Sequence, residues 1–159
     1  MSNPDWSPMD PPLKKSPIPL DECGMALAAA VIGDRWTLLI LRAALYGVRR
    51  FDDLRADLKI SSATLATRLT RLADAGLLKA QPYRDGNART RKEYILTEHG
   101  AALQPVLFAM MQWADARLAD RPSALIAVSA RTGEPLDLAY VDRRGRAVAE
   151  ADVRMEIRS

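Results

Sequence analysis

Hydrophobic and polar positions along this chain follow two periods, and the change between them marks its elements. From Asp21 to about Val31 and from Asp34 to about Tyr46, apolar residues recur at helical spacing. Two helices are therefore predicted, the second with Trp36, Leu39, Ile40 and Ala43 as core and Gly47 at its end. Phe51, Leu54 and Leu58 form an i, i+3, i+7 stripe, which predicts a short helix within Arg49–Leu58. Lys59-Ile60 then reads as a tight turn, Ser61 as the N-cap of a helix through Ala75, and Gly76 as its closing glycine. Beyond it, Leu77–Tyr83 and Arg91–Leu96 predict a hairpin around Asp85-Gly86-Asn87. Pro82 cannot donate to a ladder and belongs on an exposed edge.

Thr97 is the expected N-cap of a helix from about Glu98 to Asp120, bent at Pro105. It is apolar on nearly every side before residue 112, and such a helix needs burial all round. A second subunit would cover it through Leu103, Val106, Leu107, Met110, Met111 and Trp113; a central core helix is the other reading. Residues 125–130, 136–141 and 153–158 are strand-like, with Arg131–Pro135 and Asp142–Gly145 as turns. The expected fold is α+β: a winged helix-turn-helix, mainly α with a β-wing, plus a small C-terminal antiparallel β appendage. The expected division is a Pro-rich arm over 1–20, a winged helix-turn-helix domain over 21–120, and a small β-rich extension over 121–159.

At about 100° per residue, Leu65, Leu69 and Leu72 of the Ser61–Ala75 helix share the core side. Ala63, Thr67, Thr70 and Arg71 fall opposite, with Ser62, Thr64, Ala66 and Arg68 on the flanks. Small and hydroxyl side chains let a helix sit deep in a major groove, where Thr methyls meet thymine and Arg reaches guanine N7 and O6. A solvated surface has the same pattern, so periodicity alone leaves both readings open.

Charge favours the first. The chain carries 23 Lys and Arg against 20 Asp and Glu. Residues 49–92 hold eleven basic side chains against five acidic ones, so the rest of the chain is net negative. A basic footprint confined to the motif is what phosphate contact requires. The candidate DNA contacts are Arg49, Arg50, Ser61, Ser62, Ala63, Thr64, Thr67, Arg68 and Arg71, with Arg84, Arg89, Arg91 and Lys92 on the wing. Double-stranded DNA is the expected partner; a winged helix serving protein contacts without DNA is the alternative.

Composition removes other classes. Hydrophobic residues make up 48% of the 159, ample for a core, and no apolar run reaches membrane-span length. A cytoplasmic location is expected, without a membrane segment or an apolar N-terminal signal. One cysteine forbids an intrachain disulfide framework, and one cysteine with one histidine argues against a metal site. No nucleophile-base pair or Gly-rich phosphate loop points to an enzyme, and no cofactor is expected.

The chain resembles the HxlR family of winged helix-turn-helix transcriptional regulators. The resemblance runs over residues 21–118, through Cys23, Ile32–Arg42, Gly47–Leu54, Leu65–Leu69, Ala75–Leu78 and Glu93–Gly100. A later helix containing Leu103, Pro105, Val106, Leu107 and Trp113 completes it. It implies a dimeric DNA-binding regulator, usually a repressor and sometimes an activator; two recognition helices about 34 Å apart in such a dimer would read a palindromic operator. At the wing tip Asn87-Ala88-Arg89-Thr90 replaces a proline-containing stretch, which leaves the tip's shape open. Family members that sense quinones, aldehydes or oxidants use a cysteine where Cys23 stands. Cys23 lies near the start of the first predicted helix, a place that favours a reactive thiolate; packing alone is the other reading. A small-molecule or electrophile effector is thus the remaining expected partner.

Overall fold

A computed structural model describes residues 14–84, 86, 90–121 and 123–157. Among these the elements run α1 (Gly24–Ile32), α2 (Arg35–Leu45), α3 (Phe51–Leu58), α4 (Ser62–Asp74), β1 (Leu78–Tyr83), β2 (Arg91–Leu96), α5 (Glu98–Ala101), α6 (Gln104–Arg117), β3 (Tyr140–Val141) and β4 (Ala147–Val148). The chain divides into two compact units, Leu27–Ala124 and a second formed by Met1–Ala26 with Leu125–Ser159. The α+β winged helix-turn-helix expected from the sequence is the architecture of the first.

Its core takes one face from each of α2, α3 and α4 and one residue from α6. Ile40, Leu41 and Ala43 of α2, Leu54 and Leu58 of α3, and Leu65, Leu69 and Leu72 of α4 are buried together with Ile60, Leu77, Leu78 and Leu107. The turn between α3 and α4 closes on Lys59, whose φ of +50° reverses the chain while Ile60 is buried behind it. Ser61 Oγ then accepts from the Thr64 amide at 3.1 Å and starts α4. Gly76, at φ +70°, lets the chain leave α4 in the left-handed conformation that a side chain would disfavour.

The wing is antiparallel, with Leu78 opposite Leu96 and Tyr83 opposite Arg91. On its other side β2 bridges Arg50 through Glu93, and the Tyr94 amide donates to the Arg49 carbonyl at 2.8 Å. β1 is therefore the edge strand, which is where Pro82 is tolerated.

The single helix expected from Glu98 to Asp120 is two helices. Pro105 has no N–H and its ring would collide with the carbonyl four residues earlier, so the chain breaks at 102–103 and restarts with proline in the first turn of α6. The short α5 is pinned at its start: Thr97 Oγ1 accepts from the Gly100 amide at 3.0 Å and donates to the Gly76 carbonyl at 2.6 Å. A side chain on Gly100 would run into the Leu77 carbonyl, so α5 approaches the start of the wing as only glycine allows.

The first helix begins at Gly24, three residues after the expected cap Asp21, because the chain from Pro19 to Cys23 is occupied by a turn. In the second unit the expected strands are largely absent. Val128 and Pro135 form an isolated bridge around the Arg131–Pro135 turn, and two-residue strands β3 and β4 pair across Asp142–Gly145. Residues 153–157 are not paired: the alternation of Val153, Met155 and Ile157 defines a face, but a strand also needs a neighbouring edge to bond. None of the described residues of this unit is buried. Residues 1–13 of the Pro-rich arm lie outside the described residues. No single helix among those described is long and apolar enough to cross a membrane.

Candidate nucleic-acid interface

The exposed face of α4 follows from its buried one. With Leu65, Leu69 and Leu72 turned inward, Ser62, Ala63, Ala66, Thr67, Thr70 and Arg71 are exposed. Thr67 and Thr70 donate their hydroxyls to the carbonyls of Ala63 and Ala66, each at 3.0 Å. That satisfies the hydroxyl proton and leaves methyl groups and oxygen lone pairs on the outer surface. Ser61 spends its oxygen on the helix cap and on Thr64 Oγ1, 2.8 Å away. Thr64 is half-buried, and Arg55 reaches Ser62 Oγ at 3.5 Å.

Arg68 is turned away from that face. Its Nε stands 3.4 Å from Asp34 Oδ1, half-buried and attracted by charge without alignment for a hydrogen bond. Asp34 is the N-cap of α2, accepting from the amides of Trp36 and Thr37 at 3.1 and 3.2 Å and from the Thr37 hydroxyl. Burial works to raise the Asp34 carboxyl, but the Thr37 hydroxyl and amide, the Arg68 charge and the Trp36 amide outweigh it and hold it below the usual carboxylate range. The Asp34 cap is legible from its spacing to Thr37; its tie to Arg68 is not.

The basic residues around the wing are individually placed. Arg49 is exposed, and Arg50 lays its guanidinium over the Tyr83 ring, 4.5 Å from the centroid. Arg91 pairs with Asp52 of α3 at 3.3 Å, fastening β2 to the helix pair. Lys92 is exposed, and Arg84 Nε donates to Thr90 Oγ1 at 2.7 Å across the wing. Arg89 lies outside the described residues, as do Asp85 and Asn87 of the expected turn. Asp52 and Tyr83 were not among the residues singled out by sequence, since their roles arise from partners 39 and 33 positions away.

On α6 the expected subunit face is corrected in one respect. Leu107 is only 6% exposed and belongs to the chain's own core, with Leu103 packed against it. The face left open carries Val106, Met110 and Trp113, while Met111 is half-buried and its sulfur accepts from the Tyr46 hydroxyl. Among the described residues, no exposed large apolar side chain falls between Gly47 and Pro105. The basic half of this unit is thus free of such residues, and they gather on α1, the end of α2 and α6. Cys23 is half-buried and immediately precedes α1.

The model of the HxlR-like helix-turn-helix family matches residues 31–122. Rv3095 of Mycobacterium tuberculosis, an uncharacterized HTH-type transcriptional regulator, is 46% identical over 88 residues. That match covers 55% of this chain and 54% of the relative, so it spans about half that protein's length. The HTH-type transcriptional regulator YodB of Bacillus subtilis is 34% identical over 92 residues, covering 57% of this chain and 80% of YodB. Among solved structures, PA1607, assigned as a transcription factor, matches with a TM-score of 0.71 and 34% identity over 84% of this chain and 94% of its own. The redox regulator HypR in its reduced form matches with a TM-score of 0.54 and 25% identity over 59% of this chain and 92% of its own. Leu27–Ala124 is about three fifths of the chain, so the PA1607 match takes in residues of the second unit that the HypR match does not require. The chain belongs to the HxlR-like helix-turn-helix family of transcriptional regulators.

Proposed function

We propose that this regulator binds double-stranded DNA as a homodimer and acts as a repressor on a palindromic operator. The observation that carries the proposal is the exposed strip of α4, in which Ala63, Ala66, Thr67, Thr70 and Arg71 stand clear of the core beside a basic wing. Small side chains permit deep entry into a major groove, and Arg71 is the one long donor in the strip, suited to guanine N7 and O6. Arg49, Arg84, Arg89, Arg91 and Lys92 supply sequence-independent phosphate contacts, and Ser61, Ser62 and Thr64 border the helix start. Arg68 serves by positioning α4 through Asp34.

Homodimerisation is supported by the open apolar faces of α6 and α1, through Val106, Met110, Trp113, Leu27 and Val31. Residues 21–120 carry DNA binding and dimerisation in this reading, residues 1–20 are an arm and 121–159 an extension. The protein works in the cytoplasm and catalyses no reaction. Fluorescence anisotropy with random duplex DNA at low salt is the first test: saturable binding that falls steeply with added salt is expected. Absence of duplex binding would favour a winged helix serving protein contacts.

HypR is described as a redox regulator, and Cys23 supplies a thiol at the entrance to α1. In our reading Cys23 Sγ adds to an electrophile such as a quinone: the S–H bond breaks, the S–C bond forms as a ring C=C π bond opens, and the quinone oxygen takes that electron pair and the proton to give a hydroquinone thioether. A quinone should then change operator affinity in wild type and leave Cys23→Ser unaffected; identical responses would assign Cys23 to packing.

A further inference from the structure

A cleft lies between the start of α3 and the turn end of the wing, and it shares Arg91 and Lys92 with the phosphate contacts proposed above. It has a volume of about 470 Å³ and is lined by Phe51, Asp52, Tyr83, Thr90, Arg91, Lys92 and Tyr94. That size falls in the range of small-molecule sites, which combine apolar walls with a few polar groups. Three half-buried aromatic residues line it, one from α3 and one from each wing strand, and the Tyr83 ring carries the Arg50 guanidinium on one face. Two cations face one carboxylate, so the lining carries net positive charge. The carboxylate of Asp52 is engaged by Arg91 at 3.3 Å and by Arg55 at 3.9 Å. Lys92 has no ion-pair partner among the described residues.

We infer that this cleft binds planar aromatic carboxylates, with the ring among Phe51, Tyr83 and Tyr94 and the carboxylate on Lys92 and Arg91. A flat ring fits aromatic walls by stacking and edge contacts, and the anion completes the unbalanced charge. The walls belong to two different elements, and the Asp52–Arg91 pair joins them. A bound anion draws Arg91 from Asp52 and neutralises wing cations, so occupancy lowers DNA affinity, and DNA lowers ligand affinity by the same factor. This second half rests on the wing's proposed role in DNA binding; the first half does not.

The test titrates benzoate into the full chain without DNA, with benzamide as the uncharged isostere, followed by amide chemical shifts. One saturable site per chain is expected, with benzamide and the Lys92→Ala variant each weakening binding at least about fivefold. Tyr83→Ala should weaken both ligands, with its fold checked by circular dichroism. No saturation by about 10 mM benzoate, equal affinity for benzamide, or unchanged binding in both variants overturns the site. A second arm measures duplex affinity at fixed salt with and without saturating benzoate. A loss of affinity is expected; benzoate binding without such a loss overturns the coupling. A chain that binds benzoate but no duplex contradicts the DNA reading and leaves the ligand site standing.

Discussion

Arg68 Nε and Asp34 Oδ1 stand 3.4 Å apart, so one ion pair joins the cap of α2 to the middle of α4. The same carboxylate holds the first turn of α2 through Trp36 and Thr37. The helix proposed to enter DNA is therefore oriented by a group that also decides where its supporting helix begins.

Replacing Asp34 separates these two tasks. Asp34→Ala should destabilise the fold by about 1 kcal/mol through the lost cap. Asp34→Asn retains one capping oxygen and loses the charge together with the second acceptor, which takes the Thr37 hydroxyl. Because the folded carboxyl is held below its ordinary value, its charge contributes fully above about pH 3.9 and is lost as pH falls through the lowered value. Urea unfolding should thus find wild type more stable than Asp34→Asn near neutrality, with the gap closing in acid. A gap independent of pH would contradict the assignment.

Gly100→Ala should cost about 1–3 kcal/mol, because the added Cβ meets the Leu77 carbonyl and α5 must retreat from the wing. Thermal unfolding measures it. An unchanged midpoint would mean that α5 can move freely.

Neighbouring residues on α6 should behave differently. Leu107→Ala should lower folding stability by about 2–5 kcal/mol, since it empties a core site. Trp113→Ala, at a residue 59% exposed, should leave the fold intact and shift the oligomer toward monomer in light scattering. A monomeric wild type at micromolar concentration would refute the dimer.

Much of this was legible because helical and strand periods report burial directly. Leu65, Leu69 and Leu72 were assigned to the core by spacing alone, and Ser61 and Gly76 bound α4 through local chemistry. Reading failed where the cause was distant or cooperative. Pro105 was expected to bend a helix that it instead divides. The alternation at residues 153–157 implied a strand, but no paired edge receives it. Arg68 and Arg91 read from sequence as candidate DNA contacts, one on the flank of α4 and one on the wing; their partners Asp34 and Asp52 come from elements brought close only by folding.

Two arginines should separate base reading from phosphate contact. Arg71→Ala should weaken the preferred site by about 1–3 kcal/mol and relax preference at one position. Arg91→Ala should weaken binding to all duplexes and reduce the salt dependence. Equal losses on specific and random DNA for Arg71→Ala would make it a phosphate contact.

The central claim is that α4 reads DNA in two copies related by dimer symmetry. Selection from a random duplex library with the purified full chain tests it most directly. The account predicts an inverted repeat whose half-site centres lie about one helical turn, or about 34 Å, apart, with Arg71→Ala losing preference at one position in each half. Enrichment of a single half-site, or of no sequence at all, would contradict it.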